Sequence, residues 1–102
     1  MKRIKNARIE GNTSSWNDYY HCLDTDNFCL DLPLQTIKDL FDRAYQALEQ
    51  ADYGIARIYD GKYQLGTVIK DRYQNMDEYY TRYGRQLMGQ KDTKVKGEYN
   101  EY

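Results

Sequence analysis

From Leu34 to Ala51 the apolar positions are Leu34, Ile37, Leu40, Phe41, Ala44, Tyr45, Leu48 and Ala51. This is the i, i+3, i+4, i+7 stripe of an amphipathic helix, and the spacing predicts a helix over 33–53. Pro33 suits the first helical position, where its missing N–H would be unpaired anyway. Asp31 or Leu32 is then the cap, and an acid there complements the helix dipole. Gly54 is the expected stop, in a left-handed conformation.

Elsewhere the period is two. Phe28, Leu30 and Leu32 alternate with Cys29 and Asp31, as in a half-buried strand. Residues 19–23 and 28–32 read as two strands around Asp24-Thr25-Asp26-Asn27, whose Asx side chains favour turns. That hairpin would set Cys22 opposite Cys29. Ile4, Ala7 and Ile9 suggest a short strand over 2–10. Gly11 to Ser15 carries turn chemistry, with Trp16 anchoring the loop on the core.

Past the long helix, "YGIARIYDGKYQLGTVIK" reads as a hairpin with a two-residue turn at Asp60-Gly61. Its register would put Ala56, Ile58, Tyr63, Leu65 and Ile69 on a core face. Arg57, Tyr59, Lys62 and Gln64 would form a polar face. A second, shorter helix is expected over 75–88. Asn75 and Glu78 form its capping pair, Met76, Tyr79 or Tyr80, Tyr83 and Leu87 its apolar face, and Gly89 its stop. Gly84 should weaken it by about 1 kcal/mol relative to alanine. The polar stretch 90–102 reads as a frayed tail. The expected fold class is α+β: a small antiparallel sheet built from hairpins, with the long helix packed on it, in one domain over 1–89.

Composition changes this picture in one respect. Leu, Ile, Val and Phe number only 18 of 102 residues, while tyrosines number 12. Tyrosine buries its ring and keeps its hydroxyl wet or bonded, so it can complete a thin core. Homodimerisation would also relieve so thin a core. Net charge is −1, but it is unevenly spread: residues 11–52 are acidic and 53–97 basic. The basic start "MKRIKNARIEG" has no apolar run behind it, unlike a signal peptide. No stretch approaches a membrane span. These features point to a cytoplasmic protein with reduced thiols.

Ligand-type residues crowd only in "HCLDTDNFC", residues 21–29. A structural zinc needs four ligands, normally as two close pairs, and no second Cys/His cluster exists. The Asp24-x-Asp26 start of a calcium loop lacks glycine at its sixth position. With one histidine, any nucleophile–base pair must use His21, and Cys22 beside it should point to the other face. "GRQLMGQKD" lacks the Gly-Lys-Ser/Thr of a phosphate loop. The reading is therefore no metal, no cofactor and no catalysis.

What remains is surface. Arg57, Tyr59 and Lys62 form one tyrosine–cation cluster. Tyr80, Arg82, Tyr83 and Arg85 form the heart of another. Tyrosine and arginine are enriched at protein–protein hot spots, and they also stack on bases and contact phosphate. With Asp24 and Asp26 on the acidic half, these are the candidate partner-binding residues. The chain resembles, in type rather than by motif, the small inhibitors that phages and mobile elements carry against host defence, such as anti-CRISPR proteins. That likeness implies a protein partner, such as a nucleic-acid-binding host protein whose basic channel the acidic half would occupy. The alternative is direct nucleic-acid binding through the basic, tyrosine-rich 53–97 half, against which the near-neutral total charge argues.

Overall fold

Five strands form one antiparallel sheet in the computed structural model, which describes residues 3–88. They are β2 (Ala7–Asn17), β3 (Cys22–Leu32), β5 (Tyr53–Asp60), β6 (Tyr63–Lys70) and β7 (Met76–Tyr80), in the order β3-β2-β5-β6-β7. Two short strands, β1 (Arg3–Ile4) and β4 (Gln35–Thr36), pair separately. The helices are α1 (Ile37–Glu49) and α2 (Arg82–Met88). The α+β expectation holds, and so does the long amphipathic helix on an antiparallel sheet.

The α1 stripe buries Ile37, Leu40, Phe41, Ala44 and Leu48. These pack on Ala7 and Ile9 of β2, Ala56 and Ile58 of β5, Leu65 and Val68 of β6, and Tyr80 of β7. Strand alternation then sends Arg8, Glu10, Arg57, Tyr59, Thr67 and Tyr79 to the opposite face, which no helix covers among the described residues. Tyrosine does supplement the core: Tyr80 is 5 % exposed, its ring 4.5 Å from that of Phe41. Tyr45 packs half-buried at the core's edge.

The ends of α1 differ from expectation. Its cap is Thr36, whose hydroxyl accepts from the Asp39 N–H at 3.2 Å. Pro33 and Leu34 lie in a bend before it, and Leu34 is exposed. Proline disfavours helix at the residue before it but does not compel one after it, and a Thr-x-x-Asp cap lay three residues on. At the other end Gly54 belongs to β5, and the last carbonyls are met from elsewhere. Lys70 on β6 is buried, and its Nζ donates to the carbonyls of Leu48 (3.4 Å), Glu49 (3.0 Å) and Ala51 (2.6 Å). Its positive charge sits at the negative end of the helix dipole.

The first hairpin is larger than expected, and its turn lies elsewhere. Gly11 to Ser15 are mid-strand in β2, and Asp24 to Asn27 are mid-strand in β3, paired with residues 12–15. The turn is Asp18 to His21, closed by Asn17 opposite Cys22. The Asn17 side-chain oxygen accepts from the Tyr19 and Tyr20 N–H groups at 2.9 and 3.1 Å, an Asx turn. His21 takes a left-handed φ of 53°. Cys22 and Cys29 therefore sit on one strand, pointing to opposite faces, and do not face each other. Gly11 is used for close approach rather than for a turn, since a Cβ there would collide with the Ile55 carbonyl.

The β5–β6 hairpin is shifted by one residue. Asp60 faces Tyr63 and Tyr59 faces Gln64, so the loop is Gly61-Lys62, with Gly61 at φ 59°. The extra residue is absorbed at Leu65, after which Ile58 faces Gly66. The bulge keeps Leu65 in the core, adds Val68 to it, and leaves Tyr63 exposed and Ile69 on the open face. The second helix is shorter than expected, because residues 76–80 form β7 along β6. Pairing with the available edge of β6, helped by the β-favouring Tyr79 and Tyr80, outweighed the Asn75/Glu78 pattern. Asn75 instead donates to the Asp71 carboxylate in the β6–β7 turn. The expected stop at Gly89 and tail over 90–102 lie outside the described residues.

Candidate functional site

The bulge at Leu65 builds the seat for α2. Thr81 precedes the helix, and its N–H donates to the Leu65 carbonyl at 3.0 Å. Its hydroxyl lies 2.7 Å from the Gln64 carbonyl and 3.1 Å from that of Leu65, and accepts from the Gly84 N–H at 3.1 Å. Gly84 then lies directly on the Leu65 backbone, where a Cβ would collide. This contact swings the start of α2 beside the β5–β6 turn.

The result is a cleft of about 210 Å³ lined by Tyr59, Lys62, Tyr63, Gln64, Thr81, Arg82 and Tyr83. Cofactor pockets run to roughly 300–1,000 Å³, so this cleft suits one or two inserted side chains. The Tyr63 and Tyr83 rings are 5.5 Å apart, and the Lys62 ammonium lies 5.5 Å from the Tyr63 ring. The Arg8 guanidinium covers the Tyr59 ring at 4.7 Å and reaches the Glu10 carboxylate at 3.2 Å. The Tyr83 hydroxyl donates to Asp60 Oδ2 at 3.2 Å. Desolvation, and then the Asp60 charge, raise its pKa, so it stays a neutral donor at physiological pH.

Of the residues singled out from sequence, Tyr59, Lys62, Arg82 and Tyr83 converge here from three elements. Arg57 lies on the open sheet face two residues from Tyr59, and Arg85 lies one turn along α2. Tyr80 does not belong to the group: it faces α1 in the core and cannot reach a partner. Its alternation with Tyr79 on a strand sends only one of the two inward.

Asp24 and Asp26 are exposed on β3, at the other end of the sheet. There the β2–β3 hairpin outruns its neighbour. Pairing of β2 with β5 ends at Ser14–Tyr53, so the last three residues of β2 extend about 10 Å beyond it before the turn. This tip carries large side chains that sequence reasoning placed elsewhere. Tyr19 is 82 % and Tyr20 70 % exposed, their rings edge-to-face at 4.7 Å. Trp16, expected to anchor the core, is 51 % exposed. The available signal was Asn17-Asp18, an Asx pair as turn-prone as Asp24 to Asn27. The backbone of Trp16 is tied down by Asp52, whose carboxylate accepts its N–H at 2.6 Å.

Among the described residues, no three His, Cys, Asp or Glu side chains converge as metal ligands, and no helix is long and apolar enough to cross a membrane. Compared with known proteins, the chain matches no family model, no curated protein and no solved structure.

Proposed function

We propose that this protein is a small non-catalytic binding module that docks on another protein. The observation that carries this reading is the convergence of Tyr59, Tyr63, Tyr83, Lys62 and Arg82 around one small cleft. Tyrosines and cations there offer large contact area at low rotamer cost, with polar tips for orientation. The acidic, projecting β2–β3 hairpin suits a basic surface. An inhibitor of phage or mobile-element type would act this way, with Asp24 and Asp26 occupying the nucleic-acid channel of a host protein. Capture from host lysate by wild type, lost with Tyr59→Ala or Tyr83→Ala, is the expected result. Calorimetry with the isolated partner should then show each substitution weakening binding by more than about 1 kcal/mol. If both are neutral, the cleft is not the anchor.

The same cleft supports a second reading, because cations beside tyrosine rings also accommodate a phosphate and a stacked base. That reading requires retention of single-stranded DNA or RNA in a low-salt shift assay, with affinity falling steeply as salt rises. No retained nucleic acid at low salt removes it.

A further inference from the structure

We propose that the outer edge of β3 is a strand-addition site for an extended segment of a partner protein, basic where it passes Asp24 and Asp26 and apolar where it passes Phe28, Leu30 and Leu32. This goes beyond the cleft reading and does not depend on it.

An edge strand leaves the N–H and C=O of every second residue unpaired, a ready template for another chain. β3 runs 11 residues and, among the described residues, is bonded to the sheet only through β2. Natural edges are commonly short, bulged or covered. β3 is long, and its pairing with β2 runs from Leu32 to Cys22 without a register break. Its register puts Asp24, Asp26, Phe28, Leu30 and Leu32 on the α1 side of the sheet. α1 packs chiefly over β5, two strands away, so the Phe28–Leu30–Leu32 row touches the core but stays only partly buried. An added strand would lay alternate side chains against that row and cover it.

Charge selects the occupant. Residues 11–37 carry four acids, Asp18, Asp24, Asp26 and Asp31, and no lysine or arginine. Pairing β3 with a second copy of itself would crowd like charges along the new ladder, which is destabilising. A strand with lysine or arginine opposite Asp24 and Asp26 gains instead. The charges therefore oppose self-association and leave the edge open to a basic partner.

The test uses short blocked peptides and the intact protein. One reads Lys-Thr-Lys-Thr-Val-Thr-Leu-Thr-Val; a second has the reverse order, since either strand direction is allowed. Amide chemical shifts recorded during titration should move along β3. N-methylation of alternate peptide nitrogens on the bonding edge should weaken binding about tenfold or more, because several backbone hydrogen bonds are lost together. With Asp24→Lys and Asp26→Lys in the protein, a peptide carrying Glu in place of Lys should bind better than the Lys peptide. The proposal is overturned if neither peptide binds at millimolar concentration, if shifts fall in the cleft or on the open face, or if N-methylation changes nothing. It is also overturned if β3 shifts track protein concentration alone, which would make a second copy the occupant. Tyr59→Ala leaves peptide binding unchanged, so failure here and failure of the cleft are separable.

Discussion

Lys70→Met keeps the length and most of the apolar volume of the side chain and deletes its ammonium. The structure sets what is lost. α1 has no basic residue in its own last turn, and Lys70 Nζ reaches the Glu49 and Ala51 carbonyls at 3.0 and 2.6 Å. The longer contact to Leu48 adds little, because that carbonyl already accepts from the Ala51 N–H at 3.2 Å. Hydrogen bonds to a charged group contribute about 1.5–3 kcal/mol each, and a cation at a partly buried helix C-terminus up to about 2 kcal/mol. Relief of the buried charge's desolvation, several kcal/mol, offsets part of this. The expected net loss is about 2–3 kcal/mol, a large share of the roughly 5–15 kcal/mol that holds a domain together. Urea unfolding followed by circular dichroism should show a lower midpoint at unchanged slope, and Tm should fall by about 8–20 °C. Lys38→Met is the control, since Lys38 makes only an exposed i, i+4 contact to Asp42 at 3.4 Å. It should cost less than about 0.5 kcal/mol. Equal midpoints for Lys70→Met and Lys38→Met would refute the assignment of Lys70 as the cap of α1.

Gly84→Ala should destabilise by more than about 1 kcal/mol in the same assay, although helix propensity alone predicts a gain of that size, because the new Cβ meets the Leu65 carbonyl; a more stable variant would show that α2 does not rest there. Cys22 and Cys29 are both exposed on one strand, seven residues or about 23 Å apart, far beyond disulfide reach. Both should react with a thiol reagent in the folded protein, and mass analysis after mild oxidation should find no intramolecular bond. Burial and then the Glu78 carboxylate push the Tyr45 hydroxyl up to about 12 and the Tyr80 hydroxyl higher still. Unfolded phenols ionise near about 10, so above that pH the unfolded chain holds fewer protons than the folded one and stability falls. Stability should be fully present below about pH 10 and lost progressively above it, and Glu78→Gln should make that loss shallower in urea midpoints taken across the range.

Elements defined by a long, strong period were legible. The α1 stripe appeared almost residue for residue, since five apolar positions at helical spacing have one economical burial. The polar alternation of Arg57 and Tyr59 against Ala56 and Ile58 was equally clear. Turns misled, because several stretches shared the same chemistry. Gly11 to Ser15 and Asp24 to Asn27 look like loops, yet each lies in a strand, where the two segments pair with each other. Gly11 pairs with the buried Ala56, where only a small residue fits, and the buried Ser14 hydroxyl is bonded to that of Thr25, while the other polar residues lie toward the sheet's end. Only the pairing of the two segments reveals this, and no local window contains it. The bulge at Leu65 and the strand character of residues 76–80 were likewise decided by tertiary contact: α2 needs a displaced carbonyl to sit on, and β6 needs a partner. The candidate site was half legible. Its tyrosines and cations were identified by type, but the inward turn of Tyr80 and the exposure of Trp16, Tyr19 and Tyr20 depended on register.

The charge split along the chain becomes in large part a split in space through the register of β2, although Lys70 and Arg72 lie at the Asn17 end and Asp31 pairs beside Arg8 at the Ala7 end. At the Ala7 end lie the Gly61-Lys62 turn and the start of α2, with Lys62, Arg82 and Arg8. At the Asn17 end lie Asp18, Asp24 and Asp26, together with Asp52, whose carboxylate holds the Trp16 N–H. α1 runs from the first end to the second, since Thr36 follows Leu32, which pairs with Ala7, and Asp52 bonds Ser14. Its C-terminus therefore lies at the acidic end, where the Lys70 ammonium offsets the negative pole of the helix. A partner of the kind proposed would meet two ends of opposite sign, so its association should be oriented before contact and should slow as salt is added.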